Sequence, residues 1–424
     1  MELFIYKKYV SRRTTRYSCV NGFRFLIFAI VILFSVDNTG ANAAPSEKLT
    51  RILLEGTEAT YAGDYDRAWE IFDGISDLDA NHPSRQFYLA SVLFWKINVD
   101  PNNPVYDDQI IRLLTQCIGR CETLLSQRSG DIEILHYLGL AWTYYGRLDV
   151  HRGRMYAGGV KGETGRDYLE EAMGLCSITP VDDSEMSACL NSDFCEDLYF
   201  PLGAYSYFAG RLPAFLKALN FLWFLPRGTT EEGLAYLRRS ANHSRLHDVS
   251  AKLLLASIHM LFEKEDLYEA YEISDAVIKR FPNNPYLDLQ HADILIATGQ
   301  YDSAVTHAET ILSKVKSGRL PFYETGVELQ AGLVIAEAML YKNEPEKAKI
   351  LLEQLRVRTD CQHHTYTSKI YLLLGMMKDM RNKREEALNL YDITLDFDHR
   401  RLGRTVMKKA RYFKKYPFTV TTEP

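Results

Sequence analysis

The chain runs to 424 residues, of which 46% are apolar and 25% charged, ample for a large ordered protein. Its 55 Asp and Glu outnumber 50 Lys and Arg; the formal charge of −5 moves to −9 without residues 1–43, which hold six basic and two acidic side chains. A mildly acidic surface excludes general attraction to nucleic acid, so no nucleic-acid partner is expected.

The first 43 residues read as a targeting segment. Lys7, Lys8, Arg12, Arg13, Arg16 and Arg24 precede an apolar run of 12, Phe25–Val36, and Ala41-Asn42-Ala43 offers small residues for cleavage. About 20 apolar residues are needed to span a bilayer, so a cleaved secretory signal is the reading, with an uncleaved anchor as the alternative. The expected location is therefore exported, periplasmic or envelope-associated.

From residue 44 onward, one short segment keeps returning. Gly63-Asp64-Tyr65-Asp66-Arg67-Ala68 recurs as Gly299-Gln300-Tyr301-Asp302-Ser303-Ala304, with weaker copies at 265–270, 343–348 and 382–387. Ala270/Ala304, Leu267/Tyr301, Leu261/Leu295 and Val277/Ile311 are each 34 residues apart, a period of stacked helical hairpins. The Gly or Asn that opens most copies can take the left-handed conformation that ends a helix. Acidic residues then fall at the positive start of the next helix. The Ala lets the two helices approach. Apolar residues at helical spacing flank each turn, as at Leu254, Ile258 and Leu261, then Ala270, Ile273 and Val277.

Two copies break the rule. Gly146-Arg147-Leu148-Asp149-Val150-His151 and Gly210-Arg211-Leu212-Pro213-Ala214-Phe215 place His151 and Phe215 where the small residue belongs. Both are read as splayed turns followed by inserted sequence. In the first, the glycines of 158–165 lack the Gly-Lys-Ser/Thr ending of a phosphate loop and serve close helix packing or a kink. In the second, Phe215–Leu225 is the most apolar stretch after the signal. It reads as a buried core helix, with a hydrophobic docking surface through Phe215, Phe221, Trp223 and Phe224, or a membrane contact, as alternatives.

These segments resemble tetratricopeptide repeats. Gly56, Gly63, Tyr65, Ala68 and Phe72 match that pattern, as do Ala270, Val277 and Pro282, then Ala292, Gly299, Tyr301, Ala304, Ala308 and Ile311, and finally Gly375, Ala387 and Tyr391. The first-helix Trp is missing throughout. The order of Gly, Pro and Leu from Gly203 to Leu237 is similar to exported bacterial tetratricopeptide proteins and, more distantly, to the tetratricopeptide-repeat-39 and inclusion-body-clearance group, from which Gly228-Thr229-Thr230 departs. The resemblance implies an all-α, right-handed superhelix of about eight antiparallel hairpins. N-terminal hairpins would fill 44–198, an irregular hairpin 199–249, regular repeats 250–398 and a basic cap 399–424.

The resemblance also implies a non-enzymatic scaffold that binds a protein or peptide in its concave groove, and it supplies no catalytic residue, cofactor or metal. The first helices of the last four repeats would line that groove with Lys252, His259 and Phe262, then Tyr286 and Asp293, Gln330 and Glu337, and Lys369 and Asp379. Leucines and acids stand where a carboxylate clamp needs Lys, Arg and Asn. Such a lining suits an amphipathic helix or an apolar segment with some basic residues, unless the leucines pack between hairpins.

The remaining candidates are chemical. A disulfide is expected among Cys176, Cys189 and Cys195, whereas Cys117 and Cys121 read as buried thiols. His243 and His247 read as surface histidines of one helix start, and Cys361, His363 and His364 as loop residues, since zinc needs three or four converging ligands. Between Arg400 and Lys415 eight basic residues run with no acid, interleaved with Tyr412 and Phe413. They read as a helix covering the last hairpin or as an attraction to anionic lipid, which with Phe215–Leu225 makes an envelope-membrane protein the rival function.

Overall fold

The left-handed turns expected at Gly63 and Gly299 are present, and they organise the whole chain. In this computed structural model the residues described are 47–99, 104–178, 194–211, 228–263, 266–322, 325–359, 364–397 and 404–421. All belong to one unit, Asn42–Pro424. They are helical, with no strand among them. In chain order the helices are α1 (Glu47–Tyr61), α2 (Tyr65–Asp73), α3 (Pro83–Val99), α4 (Asp107–Gln127), α5 (Ile132–His151) and α6 (Met155–Ile178). Then come α7 (Tyr199–Gly210), α8 (Thr230–His243), α9 (Asp248–Leu261), α10 (Leu267–Arg280), α11 (Pro285–Ala297) and α12 (Tyr301–Ser317). The last are α13 (Thr325–Tyr341), α14 (Pro345–Arg358), α15 (His364–Met380), α16 (Arg384–Asp396) and α17 (Arg404–Lys415). Neighbours in sequence pack on one another throughout.

The turn is built the same way each time. Gly63 (φ 81°), Gly299 (74°), Asn343 (60°) and Asn382 (57°) are all left-handed. The amide of each bonds the carbonyl three residues back, and the next amide bonds the carbonyl five back, as Gly63 does to Thr60 and Asp64 to Ala59. This pair of bonds satisfies two of the carbonyls a helix end leaves bare. Five residues on, Ala68, Ala304, Ala348 and Ala387 are fully buried. Large residues of the second helix fill notches left by glycine on the first. A Cβ on Gly56 would meet the Phe72 ring at 2.4 Å, and one on Gly375 would meet Tyr391 at 2.4 Å.

The hairpin of α5 and α6 turns later than its Gly-Arg-Leu suggests. Residues 146–151 are still inside α5, with Leu148 and Asp149 buried. The reversal is at Gly153 (φ 78°), whose amide bonds Val150 O while Arg154 N bonds Asp149 O, the same bond pair as the other turns. Five residues beyond it stands Gly158 in place of Ala. The expected insertion is therefore the first half of α6. A Cβ on Gly146 would lie 2.7 Å from Gly158 O, and one on Gly165 2.7 Å from Gly139 O, so backbone meets backbone along this pair. Gly146→Val should lower stability by about 3 kcal/mol because neither backbone can yield. Gly159→Ala, with nothing within 4 Å, should be neutral or gain about 0.5 kcal/mol. Urea denaturation midpoints decide; equal midpoints would refute the close packing.

Cys176 and Cys195 form a disulfide that closes the polar stretch after α6. Cys189 and Cys361 lie outside the described residues. Cys117 and Cys121 are free and buried in α4. Thr229 caps α8 by accepting from Glu232 N. Phe215, Phe221, Trp223 and Phe224 fall outside the described residues, as do residues 1–46, among them the signal.

The first hairpin does more than stack on its neighbour. Asn284, which caps α11, also donates to Tyr61 O (3.0 Å) and accepts from the Tyr65 hydroxyl (3.4 Å). Tyr61 OH donates to Leu246 O at 3.2 Å, and Arg280 pairs with Glu58 at 2.7 Å. A Cβ on Gly63 would lie 2.8 Å from Asn283 O. Contacts between residues some 220 apart in sequence depart from the strictly nearest-neighbour stacking of a simple solenoid.

Candidate interaction surface

The nine side chains expected to line one groove are largely engaged by the chain itself. On α9, Lys252 is ion-paired to Asp248 at 2.9 Å. On α11, Tyr286 meets the edge of Trp95 from α3 at 5.6 Å. On α13, the Gln330 amide donates to Val99 O (3.2 Å), at the end of α3, and to Tyr366 OH (3.0 Å). The first hairpins thus occupy the middle of the row.

The far end is occupied by α17. Glu337 on α13 is buried between Lys369 of α15 at 3.0 Å and Lys409 of α17 at 2.8 Å, and half-exposed Asp293 lies 3.8 Å from Lys369. Burial works against the Glu337 charge, but the two lysines outweigh it and hold its carboxyl down at about 2. Both lysines lose solvation, yet Glu337 keeps them above the usual ammonium range. Asp379, at the end of α15, accepts from Arg384, the Tyr391 hydroxyl (2.8 Å) and Phe418 N (2.9 Å). Ala410, Phe413 and Phe418 are fully buried, so the basic segment covers the last hairpin. That covering role is the one expected of the basic segment; the reach of Lys409 to Glu337 has no signature in local sequence.

At the near end, among the described residues, the row is open. Phe262 follows α9 at 41% exposure, beside Phe208 of α7 at 48% and Leu261 at 37%. The Arg211 guanidinium lies 4.3 Å from the Phe262 ring and pairs with Glu263 at 3.1 Å. Phe208, Leu261 and Arg211 were not foreseen as a group, because α7 and α9 meet only in space. His259, by contrast, is fully buried and faces Asp266 and Glu269 at the start of α10.

The paired histidines are placed differently from the sequence reading. His243 ends α8 and is exposed, whereas His247 precedes α9 and is buried against His136 (6.1 Å) and Phe200 (5.3 Å). They sit on two helix ends, not one, so they do not converge. His364 opens α15; His363 lies outside the described residues.

Shared turn geometry, the Ala or Gly five residues on, and the glycine-to-aromatic notch together define the hairpins. Such hairpins resemble those of tetratricopeptide repeats. Among solved structures, the chain is similar to yeast Tom70, at 13% identity over 86% of this chain and 81% of that one, with a TM-score of 0.38. It is also similar to the tetratricopeptide domain of P58(IPK), at 10% identity over 86% and 98%, with a TM-score of 0.20. The sequence matches no protein-family profile and no curated protein.

Proposed function

We propose that the chain is an exported, non-enzymatic tetratricopeptide scaffold that binds a protein partner, with Phe208, Leu261, Phe262 and Arg211 as the start of the contact. The observation that supports this is the exposure of two neighbouring phenyl rings and a stacked guanidinium, where every other described phenylalanine is buried or half-buried. Aromatic and Arg side chains of this kind dominate binding energy at interfaces, and clustered exposed apolar surface marks docking sites. The self-engaged row from Tyr286 to Asp379 then serves as the rigid wall against which the contact is set.

A photo-crosslinking residue at Phe262, compared with one at Val357 on α14, which is 84% exposed, tests the reading in cells. The expected result is one protein captured from Phe262 and none from Val357. Identical products at both positions would end the proposal. The rival reading, membrane contact through the basic tail, loses support from Lys409 and Lys414 being paired with Glu337 and Asp392. Crosslinks from Phe262 to lipid alone would restore it.

A further inference from the structure

We infer that the cleft between α10 and α12 binds an alkylammonium group through acceptor atoms of His291, His307, Thr306 and Asp302. The cleft has a volume of about 430 Å³. Tyr271 of α10 forms one wall, His291 of α11 the floor, and Asp302, Thr306 and His307 of α12 the other wall. None of these residues belongs to the partner contact proposed above.

Most hydrogens in this cleft are already committed. Ser274 Oγ donates its single hydrogen to Tyr271 O at 3.0 Å, so toward His291 Nδ1, at 2.9 Å, it can only accept. His291 therefore carries its proton on Nδ1 and a bare lone pair on Nε2. His307 Nε2 faces Asp288 O at 3.1 Å and the Asp288 carboxylate at 3.4 Å, both of them acceptors. Its proton is thus on Nε2 and its lone pair on Nδ1. The Thr306 hydroxyl spends its hydrogen on the carbonyl of Asp302 at 3.1 Å. Burial, together with the neighbouring His307, holds His291 down at about 4, so its Nε2 stays bare at neutral pH.

This lining offers lone pairs and a carboxylate, with only the Tyr271 and Ser303 hydroxyls left as donors. A ligand carboxylate or phosphate would set lone pairs against lone pairs, whereas an ammonium group has three donors and no acceptor. Two acceptors at tetrahedral directions, each about 2.9 Å from one ammonium nitrogen, stand about 4.7 Å apart. The two imidazole rings are centred 5.0 Å apart, which suits that spacing. The Asp302 carboxylate, 89% exposed, supplies the opposite charge, and its pair with Lys342 is screened and readily exchanged. The Tyr271 ring, 5.9 Å from His291, puts an aromatic surface beside the cation. A lysine side chain of another protein and a free primary amine share this chemistry.

Histidine side-chain ¹⁵N NMR of the full chain at about pH 7.5 tests the site. A bare Nε2 in His291 and a bare Nδ1 in His307 are expected. Pentylammonium should shift both ring signals along a one-site curve, about fivefold tighter than 1-pentanol, while pentanoate shifts neither. Asp302→Asn/Thr306→Val, which changes only exposed side chains, should weaken pentylammonium about fivefold and keep wild-type helicity. Nα-acetyl-lysine amide separates the sources: tighter binding than pentylammonium assigns the site to a protein lysine, and otherwise it takes a free amine. The opposite tautomer in either ring, an equal response to pentanol and pentylammonium, or unchanged affinity in the double variant overturns the inference.

Discussion

Glu133→Gln is expected to gain on wild type by roughly 4 kcal/mol as pH rises from about 5 to about 8.5. Glu133 sits in the first turn of α5, only 12% exposed, and its Oε1 has no hydrogen-bond partner. Burial, with the nearby Asp131 charge, pushes its carboxyl up to about 8. His82 approaches at 3.4 Å, but burial depresses its basicity as well, so it offers no dependable positive charge. Around them the hydroxyls of Tyr88 and Tyr137 and both nitrogens of His136 are also buried without partners.

A carboxyl raised in the folded state keeps a proton that the unfolded chain releases. Its stabilisation is complete below the unfolded value near 4.5 and is lost as pH rises to about 8. Asp197, raised to about 6 by burial against bonds from Ser244, Leu246 and Arg245, acts in the same direction over a lower window. His247, lowered to about 4 by burial, acts oppositely: its contribution is present above 6.5 and is lost as pH falls toward 4. Between about 4.5 and 6 the two carboxyls outweigh the one histidine, so these three groups together lower stability as pH rises. Urea midpoints of wild type and Glu133→Gln at the two pH values decide the matter, and parallel shifts in both proteins would show that Glu133 does not carry the dependence.

Glu337→Ala should cost about 3 kcal/mol at pH 7, the low end for removing one partner of a buried charge set, because Lys369 and Lys409 keep 23% and 22% of their side-chain exposure. The loss is not of packing but of compensation: two ammonium groups remain beside an empty place. Since the folded carboxyl lies at about 2, its contribution is present above 4.5 and is lost as pH falls from there toward 2. The gap between wild type and Glu337→Gln should accordingly close in acid. The variant should also loosen α17, so that trypsin cuts within Arg404–Lys415 faster than in wild type. An unchanged cleavage rate together with an unchanged midpoint at pH 7 would mean the three charges do not act together.

Local chemistry alone specified the hairpins. Gly63, Gly299, Asn343 and Asn382 could be recognised as turn residues because a positive φ is costly for most side chains and cheap for these. The buried alanines and the Gly56–Phe72 and Gly375–Tyr391 notches were legible for the same reason: they involve residues close in sequence, held by a regular helix period. Even the misread turn had a local signal. Gly153 is followed five residues later by Gly158, so the small-residue rule held while the choice of Ala as its marker did not.

What surrounds each hairpin was decided only in three dimensions. Asn284 reads as a helix cap, and nothing nearby says that its amide also grips Tyr61 and Tyr65, some 220 residues earlier. Glu337 and Asp379 read as free groove acids, yet Lys409 and Phe418 reach them from beyond the last repeat. The physical reason is range. Backbone hydrogen bonds and helix-face packing act between residues a few turns apart and so leave a periodic trace, whereas a buried charge is settled by whichever opposite charge the finished fold delivers to it.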